Sequence, residues 1–341
     1  MTEILTLSNV CALAVLAALT AYVVLAGADF GGGVWDFLAA GPRKNQQREL
    51  IARAIGPIWE ANHVWLILVV VLLFTCFPPV FALLMTYLHV PLVLMLIGIV
   101  LRGSAFAFRA YDVKPSPTAK FWERVFASAS VITPLILGMC VGAIASGAVG
   151  AISGRNGVYA TFFASWLSPF PIACGVLALT AFTFLAAVYL TVDARDPALR
   201  EDFRTRALYA AGAVFVVALG TLAVAHFFAP RLRQSLMGNV WTAPLLFATG
   251  AATALTIVAL WTRRWRIARM AAPAEVALIL WGWAGTQYPA LVPGRFTIAQ
   301  AAAPEITLRL TLWALAIGGT VLFPSLWYLF RIFKSRSAAP A

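Results

Sequence analysis

The sequence predicts an all-α, polytopic membrane protein with nine transmembrane helices. Of its 341 residues, 62% are hydrophobic and only 11% are charged, and the mean hydropathy is +0.88. Apolar runs of about 20 residues recur along the chain, and each is long enough to cross ~30 Å of hydrocarbon as a helix. The alternating ten-residue segments of a transmembrane barrel do not occur in the sequence. A soluble globular domain is therefore excluded.

The bounds of the predicted helices follow from the apolar runs and from the residues that interrupt them. Pro78 and Pro79 separate the second and third runs and predict a tight turn, which would make an antiparallel hairpin of these two helices. Residues 193–206 carry charges of both signs and predict a solvated helical extension before the sixth run. The predicted spans are residues 4–26, 57–77, 79–101, 125–146, 166–192, 208–228, 240–261, 273–292 and 306–330.

Lys and Arg residues concentrate in alternate loops, which predicts the orientation of the chain. By the positive-inside rule, the N-terminus lies outside and the C-terminus lies in the cytoplasm. The same distribution accounts for the net charge of +12 without a nucleic-acid partner. Only five of the 25 basic residues fall in the opposite set of loops: Arg155, Arg231, Arg233, Arg295 and Arg309.

Asp29 stands directly after the first predicted span and before three consecutive glycines, Gly31 to Gly33. Glycines allow a sharp turn of the backbone or the close approach of another helix. One interpretation is a helix end at the membrane surface, with Asp29 and Asp36 hydrated. The other is a polar site at the margin of the membrane.

Glu60 lies one turn inside the second predicted span. An ionised carboxylate facing lipid costs ~2.5–3.5 kcal/mol or more, so Glu60 is expected to face a protein interior or a water-filled cavity. His63 is three residues further along the same helical face, where the two side chains can share a proton. The alternative is a structural ion pair between Glu60 and Arg102.

Other polar and aromatic groups give a mixed picture. The four cysteines show no CxxC spacing and predict buried small hydrophobes, so no metal site and no disulfide is expected. His63, His89 and His226 are predicted at the inner third, the middle and the outer surface of their spans, so no two are level enough to ligate a haem. Candidates for a quinone or oxygen cavity, with simple packing as the alternative, are Trp59, Trp65, Trp281 and Gln287.

Three segments of the sequence resemble the second subunit of bacterial cytochrome bd-type quinol oxidases, in the branch that includes the cyanide-insensitive oxidases. They are residues 27–33 (GADFGGG), 57–65 (PIWEANHVW) and 101–109 with its LRG and FAFR motifs. The resemblance implies a single membrane domain over residues 1–341. Within it, two four-helix bundles over 1–150 and 151–300 are followed by a peripheral ninth helix over 306–330.

The resemblance also implies a function. Such a subunit ligates no haem and no catalytic residue is expected in it; its partner, a larger subunit I, holds two haem b and one haem d and oxidises ubiquinol or menaquinol while oxygen is reduced to water. Asp29, Glu60 and His63 would then serve proton uptake, although Ala107 stands where many relatives carry an acid. A bound quinone, lipid and small single-helix subunits are further expectations, as is a location in the bacterial inner membrane.

Two other classes of protein stay open at this point. A proton-coupled secondary transporter would bind its coupling proton at Asp29 and Glu60, and would need broken helices at matching places in two halves. The segment 27–33 is a candidate for one such break. A self-contained b-type cytochrome is disfavoured by the depths of the histidines.

Overall fold

The computed structural model describes residues 6–56, 59–111, 117–150, 157–238 and 242–336, and these residues are almost wholly helical. A short hairpin of β1 (Ala290–Val292) and β2 (Phe296–Thr297) interrupts the helices. The helices are α1 (Leu7–Phe37), α2 (Lys44–Ile55), α3 (Trp59–Cys76), α4 (Pro78–Tyr87), α5 (His89–Tyr111), α6 (Pro117–Ser146), α7 (Val158–Phe162), α8 (Pro169–Asp193), α9 (Pro197–Phe228), α10 (Pro230–Gly238), α11 (Thr242–Trp261), α12 (Trp265–Gln287), α13 (Ile298–Ala301) and α14 (Glu305–Arg336).

Within the described residues, nine helices are long and apolar enough to cross a membrane: α1, α3, α5, α6, α8, α9, α11, α12 and α14. The predicted all-α class and the predicted number of spans are confirmed. The predicted extension before the sixth span is helical too, since α9 begins at Pro197 with the Asp196 side chain accepting a hydrogen bond from the Ala198 amide. Three predicted span starts, at residues 4, 57 and 240, lie outside the described residues, as does Arg155.

The first helix does not end where the sequence predicted. It continues from Leu7 to Phe37 without a break, so both the predicted end at residue 26 and the interpretation of Asp29 as a hydrated helix end are wrong. The glycines serve close packing instead. A β-carbon at Gly31 would collide with the backbone carbonyl of Phe182 on α8, and one at Gly33 would collide with Ser130 on α6. Packing against α6 and α8 outweighs the weak helix propensity of glycine.

The predicted third span, 79–101, is two helices in the structure. Pro78 and Pro79 occupy the first turn of α4, where proline is well tolerated, so they start a short helix and do not form a tight turn. The membrane-spanning helix α5 begins only at His89. His89 therefore lies at the end of a span, and its predicted position near mid-membrane is wrong.

The eighth predicted span, 273–292, is displaced along the chain. The helix α12 begins at Trp265 and contains Pro273 in its interior, and residues 290–292 form β1. The sequence predicted a helix start at Pro273, but the neighbouring helices of the bundle allow this proline inside α12. The displacement has a consequence for the site, because it moves Glu275 from a helix end to the middle of a helix.

Ion pairs join the helix ends on one side of the molecule, here named the basic end. They link the α1–α2 turn to α9 (Arg43–Asp202), α2 to α6 (Arg48–Glu123), and α12 to α8 (Arg269–Asp193). At the opposite end, the Ala303 amide donates to the Cys76 carbonyl over 2.8 Å, and Arg295 donates to the Gly150 carbonyl. The spans thus alternate in direction as the loops predicted.

Helix α1 lies at the centre of the packing. It contacts α3, α6, α8 and α12, while α8 also contacts α6 and α9, and α11 pairs with α12. The ninth span, α14, touches α1 and α3 and leaves most of its surface exposed. The division into two four-helix bundles over 1–150 and 151–300 stays a prediction.

Candidate functional site

A buried ion pair between Asp29 and Arg102 forms the centre of the site. The Arg102 guanidinium donates to both carboxylate oxygens of Asp29, over 2.8 and 2.9 Å, and to the Asp29 carbonyl over 3.0 Å. Its Nε donates to Ser130 Oγ over 3.1 Å. Both side chains are only 2% exposed. Such a two-pronged, fully hydrogen-bonded contact is the arrangement in which a buried pair recovers its desolvation cost.

Two aromatic rings contact this ion pair, and a glycine lets the helices around it pack closely. The guanidinium carbon of Arg102 lies 4.9 Å from the ring centres of both Phe30 and Phe126, within the range of cation–π attraction. Gly33 lets Ser130 approach α1 closely. The local sequence thus places an arginine, a hydroxyl and two rings around one carboxylate.

A second ion pair, between Asp36 and Arg109, lies toward the basic end and was not predicted from the sequence. The Asp36 carboxylate accepts hydrogen bonds from Arg109 over 3.0 and 3.4 Å. The guanidinium carbon of Arg109 lies 4.9 Å from the centre of the Phe126 ring, which Arg102 also contacts. A signal existed. The two acids are seven residues apart on α1 and the two arginines seven apart on α5, so each helix presents its charges on one face.

A cavity of about 150 Å³ opens beside the second pair, at the basic end. Asp36 and Arg109 supply its polar wall. Its remaining lining is apolar: Ile51, Ala52, Ile55, Phe106 and Phe126. Phe126 lines the cavity and also contacts Arg102, so this ring lies between the cavity and the buried pair.

The start of α3 presents two different faces. Asn62 is buried and donates to the Leu25 carbonyl over 3.4 Å, and His63 turns toward α1, where its ring lies 6.0 Å from Tyr22 and 6.1 Å from Phe30. Glu60 is exposed on the outer surface of the helix and, within the described residues, makes no hydrogen bond or ion pair. Glu60 is thus exposed while His63 contacts rings of α1, and Arg102 pairs with Asp29 and not with Glu60. That Asp29, Glu60 and His63 serve proton uptake stays a prediction.

The aromatic residues and the glutamine proposed for a cavity do not converge. Trp59 lies at the basic end, with its ring 6.0 Å from Phe106, and Trp65 packs on the core between α1 and α3. Trp281 is partly exposed and donates to Thr20 over 3.0 Å. Gln287 is at the other end of the molecule, where its side-chain nitrogen is buried without a partner among the described residues.

Glu275 is a buried acid that the sequence analysis did not find. It lies in the middle of α12 and is 4% exposed. Thr253 of α11 hydrogen-bonds it, while its second oxygen has no partner in the part of the chain that the structure describes. Like Glu60, Glu275 is a carboxylate inside an apolar helix, which is the signal that singled out Glu60. The predicted helix start at residue 273 placed Glu275 at a helix end and so concealed it.

A polar cluster fixes α2 across the basic end. Gln47 is buried, donates to Asp202 over 3.2 Å and accepts from Arg206 over 2.7 Å. The hydrogen-bonded Asp202 carboxylate raises the pKa of the Arg43 guanidinium beside it. This cluster closes the basic end next to the cavity and holds α1, α2 and α9 together.

The family described as cytochrome bd terminal oxidase subunit II has a model that matches residues 7–333. This chain belongs to that family. The match covers nearly the whole chain, including every residue of the two ion pairs, so the resemblance inferred from three segments is confirmed.

Individual relatives of this cytochrome bd subunit II align over shorter stretches. It is 34% identical over 119 residues to the cytochrome bd ubiquinol oxidase subunit 2 of Bacillus subtilis, covering 35% of this chain and 34% of the relative. With the cytochrome bd-I ubiquinol oxidase subunit 2 of Escherichia coli K12 the identity is 27% over 174 residues, covering 50% and 45%. The chain thus spans about a third to a half of the length of these relatives.

A solved structure shares the fold. The bd oxidase from Geobacillus thermodenitrificans superposes with a TM-score of 0.79, covering 96% of this chain and 99% of that one at 22% identity. The transporter alternative is not favoured, because α1 is unbroken through Gly27 to Gly33 and the break that it required does not exist.

The three histidines of this cytochrome bd subunit II lie in separate surroundings. His63 packs on Tyr22, His89 on Phe162 and His226 on Phe227. The His89 ring nitrogen is also 2.9 Å from the Thr86 carbonyl. These surroundings do not fit a haem held between two imidazoles, and no step is assigned to a haem on this chain. That the chain ligates no haem stays a prediction.

Proposed function

We propose that this chain is the subunit of a quinol:oxygen oxidoreductase that carries protons from the basic end toward redox centres held by a larger partner. The observation that supports this role is the succession of two ion pairs, with Asp36–Arg109 at the cavity wall and Asp29–Arg102 deeper in the apolar interior. A buried ion pair contributes little to stability compared with apolar packing, so its presence indicates a use.

The route has three parts. Water in the cavity brings protons to Asp36 at its wall. Phe126 separates this acid from the next pair, and Ser130 and Arg102 orient the Asp29 carboxylate beyond it. Arg102 holds the Asp29 carboxylate in a fixed orientation through hydrogen bonds to both of its oxygens. His63 lies next along the interior.

The partner is proposed as the larger subunit I, holding two haem b and one haem d, which supply the chemistry of oxygen reduction when bound. The quinol donor is a ubiquinol or a menaquinol. A bound quinone, lipid and small single-helix subunits complete the proposed assembly in the bacterial inner membrane. The basic end is assigned to the cytoplasm, which puts the proton entry on that side.

The test replaces Asp29 with Asn in the intact oxidase. Quinol-driven oxygen consumption per haem is expected to fall at least tenfold, because the amide cannot carry a proton. Expressing the rate per haem separates this loss from any complex that is lost because Arg102 is left unpaired. Glu49→Gln is the matched control, since it removes an acid at the exposed Glu49–Arg53 pair on α2. An Asp29→Asn oxidase with full haem content and the turnover of the Glu49→Gln control would refute the proton route.

A further inference from the structure

Tyr22 is the third member of a seven-residue repeat on α1. It precedes Asp29 by seven residues, as Asp29 precedes Asp36, so all three lie on one face at intervals of about 10 Å. Tyr22 is 1% exposed, and its hydroxyl is buried without a hydrogen-bond partner in the described part of the chain. Asp29 and Arg102 are the charged groups that act on it.

His63 faces this phenol from α3. Its ring is 6.0 Å from the Tyr22 ring and tilted by 48°, and its Nδ1 is likewise buried without a partner among the described residues. The Phe30 ring lies 6.1 Å from the His63 ring and 4.9 Å from the Arg102 guanidinium carbon, which puts His63 near the ion pair. Two unpaired polar atoms on facing helices, next to one ion pair, are what a bridging water satisfies.

We propose that Tyr22 and His63, bridged by water, extend the proton route about two helical turns beyond Asp29, away from the basic end. This inference rests on the proposed function. In each transfer, Tyr22 Oη accepts a proton from water on the Asp29 side and releases its own O–H proton on the other side, so the phenol is neutral before and after. His63 relays in the same way through its two ring nitrogens.

The competing explanation is that Tyr22 only fills the core. Its ring belongs to the apolar cluster that includes Ala18, Ala26, Phe30 and Leu72. Tyr22→Phe separates the two roles, because it keeps the ring and removes the hydroxyl alone. If Tyr22 is purely structural, this change alters stability or haem content but leaves the turnover per haem unchanged.

The experiment uses the intact oxidase with Tyr22→Phe, His63→Leu and, as the matched control, Tyr189→Phe on α8. Oxygen consumption with quinol is measured in H₂O and in D₂O, together with haem content and the midpoint of thermal unfolding. Tyr22→Phe and His63→Leu are expected to slow turnover at least fivefold and to raise the solvent isotope effect, with haem content unchanged. Tyr189→Phe is expected to match the unmodified enzyme.

The outcomes separate this inference from the proposed function. If Asp29→Asn is slow but Tyr22→Phe turns over normally, the extension is wrong and the route to Asp29 stands. If both turn over normally, the proton route itself fails. If Tyr22→Phe lowers turnover only in proportion to lost haem or lowered unfolding midpoint, Tyr22 is structural and the extension is overturned.

Discussion

Individual buried charges define the interior of this protein. Asp29 and Arg102 are 73 residues apart in sequence, yet three hydrogen bonds join them, and Ser130 takes up a fourth donor of the guanidinium. Leaving either partner alone would cost about 3–5 kcal/mol, because an uncompensated charge would remain in an apolar interior. The pair therefore acts as one unit, and a change to one residue is felt by the other.

Glu275 is a different kind of buried acid, because no cation pairs with it among the described residues. Thr253 hydrogen-bonds one of its carboxyl oxygens, and the other oxygen has no partner in the described part of the chain. A buried carboxyl group with no cation beside it is expected to carry a proton. An isolated carboxylate at this depth would cost far more than its protonation.

Glu275→Gln is therefore expected to change the free energy of unfolding by less than about 1 kcal/mol, because one neutral donor replaces another. Glu275→Lys is expected to lose about 3–5 kcal/mol, the penalty of an unpaired buried charge. The midpoint of thermal unfolding of the purified complex measures both. Met270→Lys, at an exposed position on the same helix, is the control for adding a lysine. If Glu275→Gln and Glu275→Lys lower the unfolding midpoint equally, the carboxyl group of Glu275 is not neutral in the folded protein.

Packing between helices determines where α1 ends and which side of α3 faces the interior. Three glycines would weaken an isolated α1, but they let α6 and α8 approach so closely that the helix stays whole to Phe37. On α3, Asn62 and His63 face α1 while Glu60 faces outward among exposed apolar residues. An ionised carboxylate on a lipid-facing surface costs ~2.5–3.5 kcal/mol, so this face is better suited to a protein partner.

We predict that the larger subunit covers the face of α3 around Glu60. A photo-reactive phenylalanine analogue at Ile67, exposed two turns along this face, is expected to cross-link to that subunit in membranes. The control carries the analogue at Phe247, which is exposed on α11, a helix that packs mainly on α9, α10 and α12. Cross-linking to the larger subunit only from Phe247 would move the interface to the other side of the molecule.

The whole molecule has two unlike ends. Arginines and acids tie the helix ends together at the basic end, whereas backbone contacts and the β1–β2 hairpin close the opposite end. The positive-inside rule assigns the basic end to the cytoplasm. This predicted orientation would set the direction of the proposed proton route.

Cysteine labelling checks the orientation. A membrane-impermeant maleimide is expected to label Val158→Cys on α7 in intact spheroplasts, and to label Glu49→Cys on α2 only after the membrane is opened, because the two positions lie at opposite ends. Both positions are exposed, and the native cysteines Cys11, Cys76 and Cys140 are buried, so the unmodified chain gives the background. The reverse pattern would turn the molecule over and place the proton entry outside.

About half of the site was accessible from the sequence. Asp29, His63 and Arg102 were singled out because charged and polar groups are rare in apolar spans. Asp29 pairs with Arg102, and His63 contacts the Phe30 ring that also lies against Arg102. Tyr22, Asp36, Arg109 and Glu275 were not singled out as site residues. Their partners are 73 residues away or on another helix, and a wrong helix start concealed Glu275.

The sequence by itself determined the number of spans and their alternation. Both depend on quantities that are local along the chain: the length of an apolar run relative to the bilayer, and the charge of each loop. Only the tertiary structure decided which polar side chains face inward. Helices that are apolar on nearly every side carry no stripe to indicate their rotation, so Glu60 outside and Asn62 inside follow from contacts between helices and not from the order of residues.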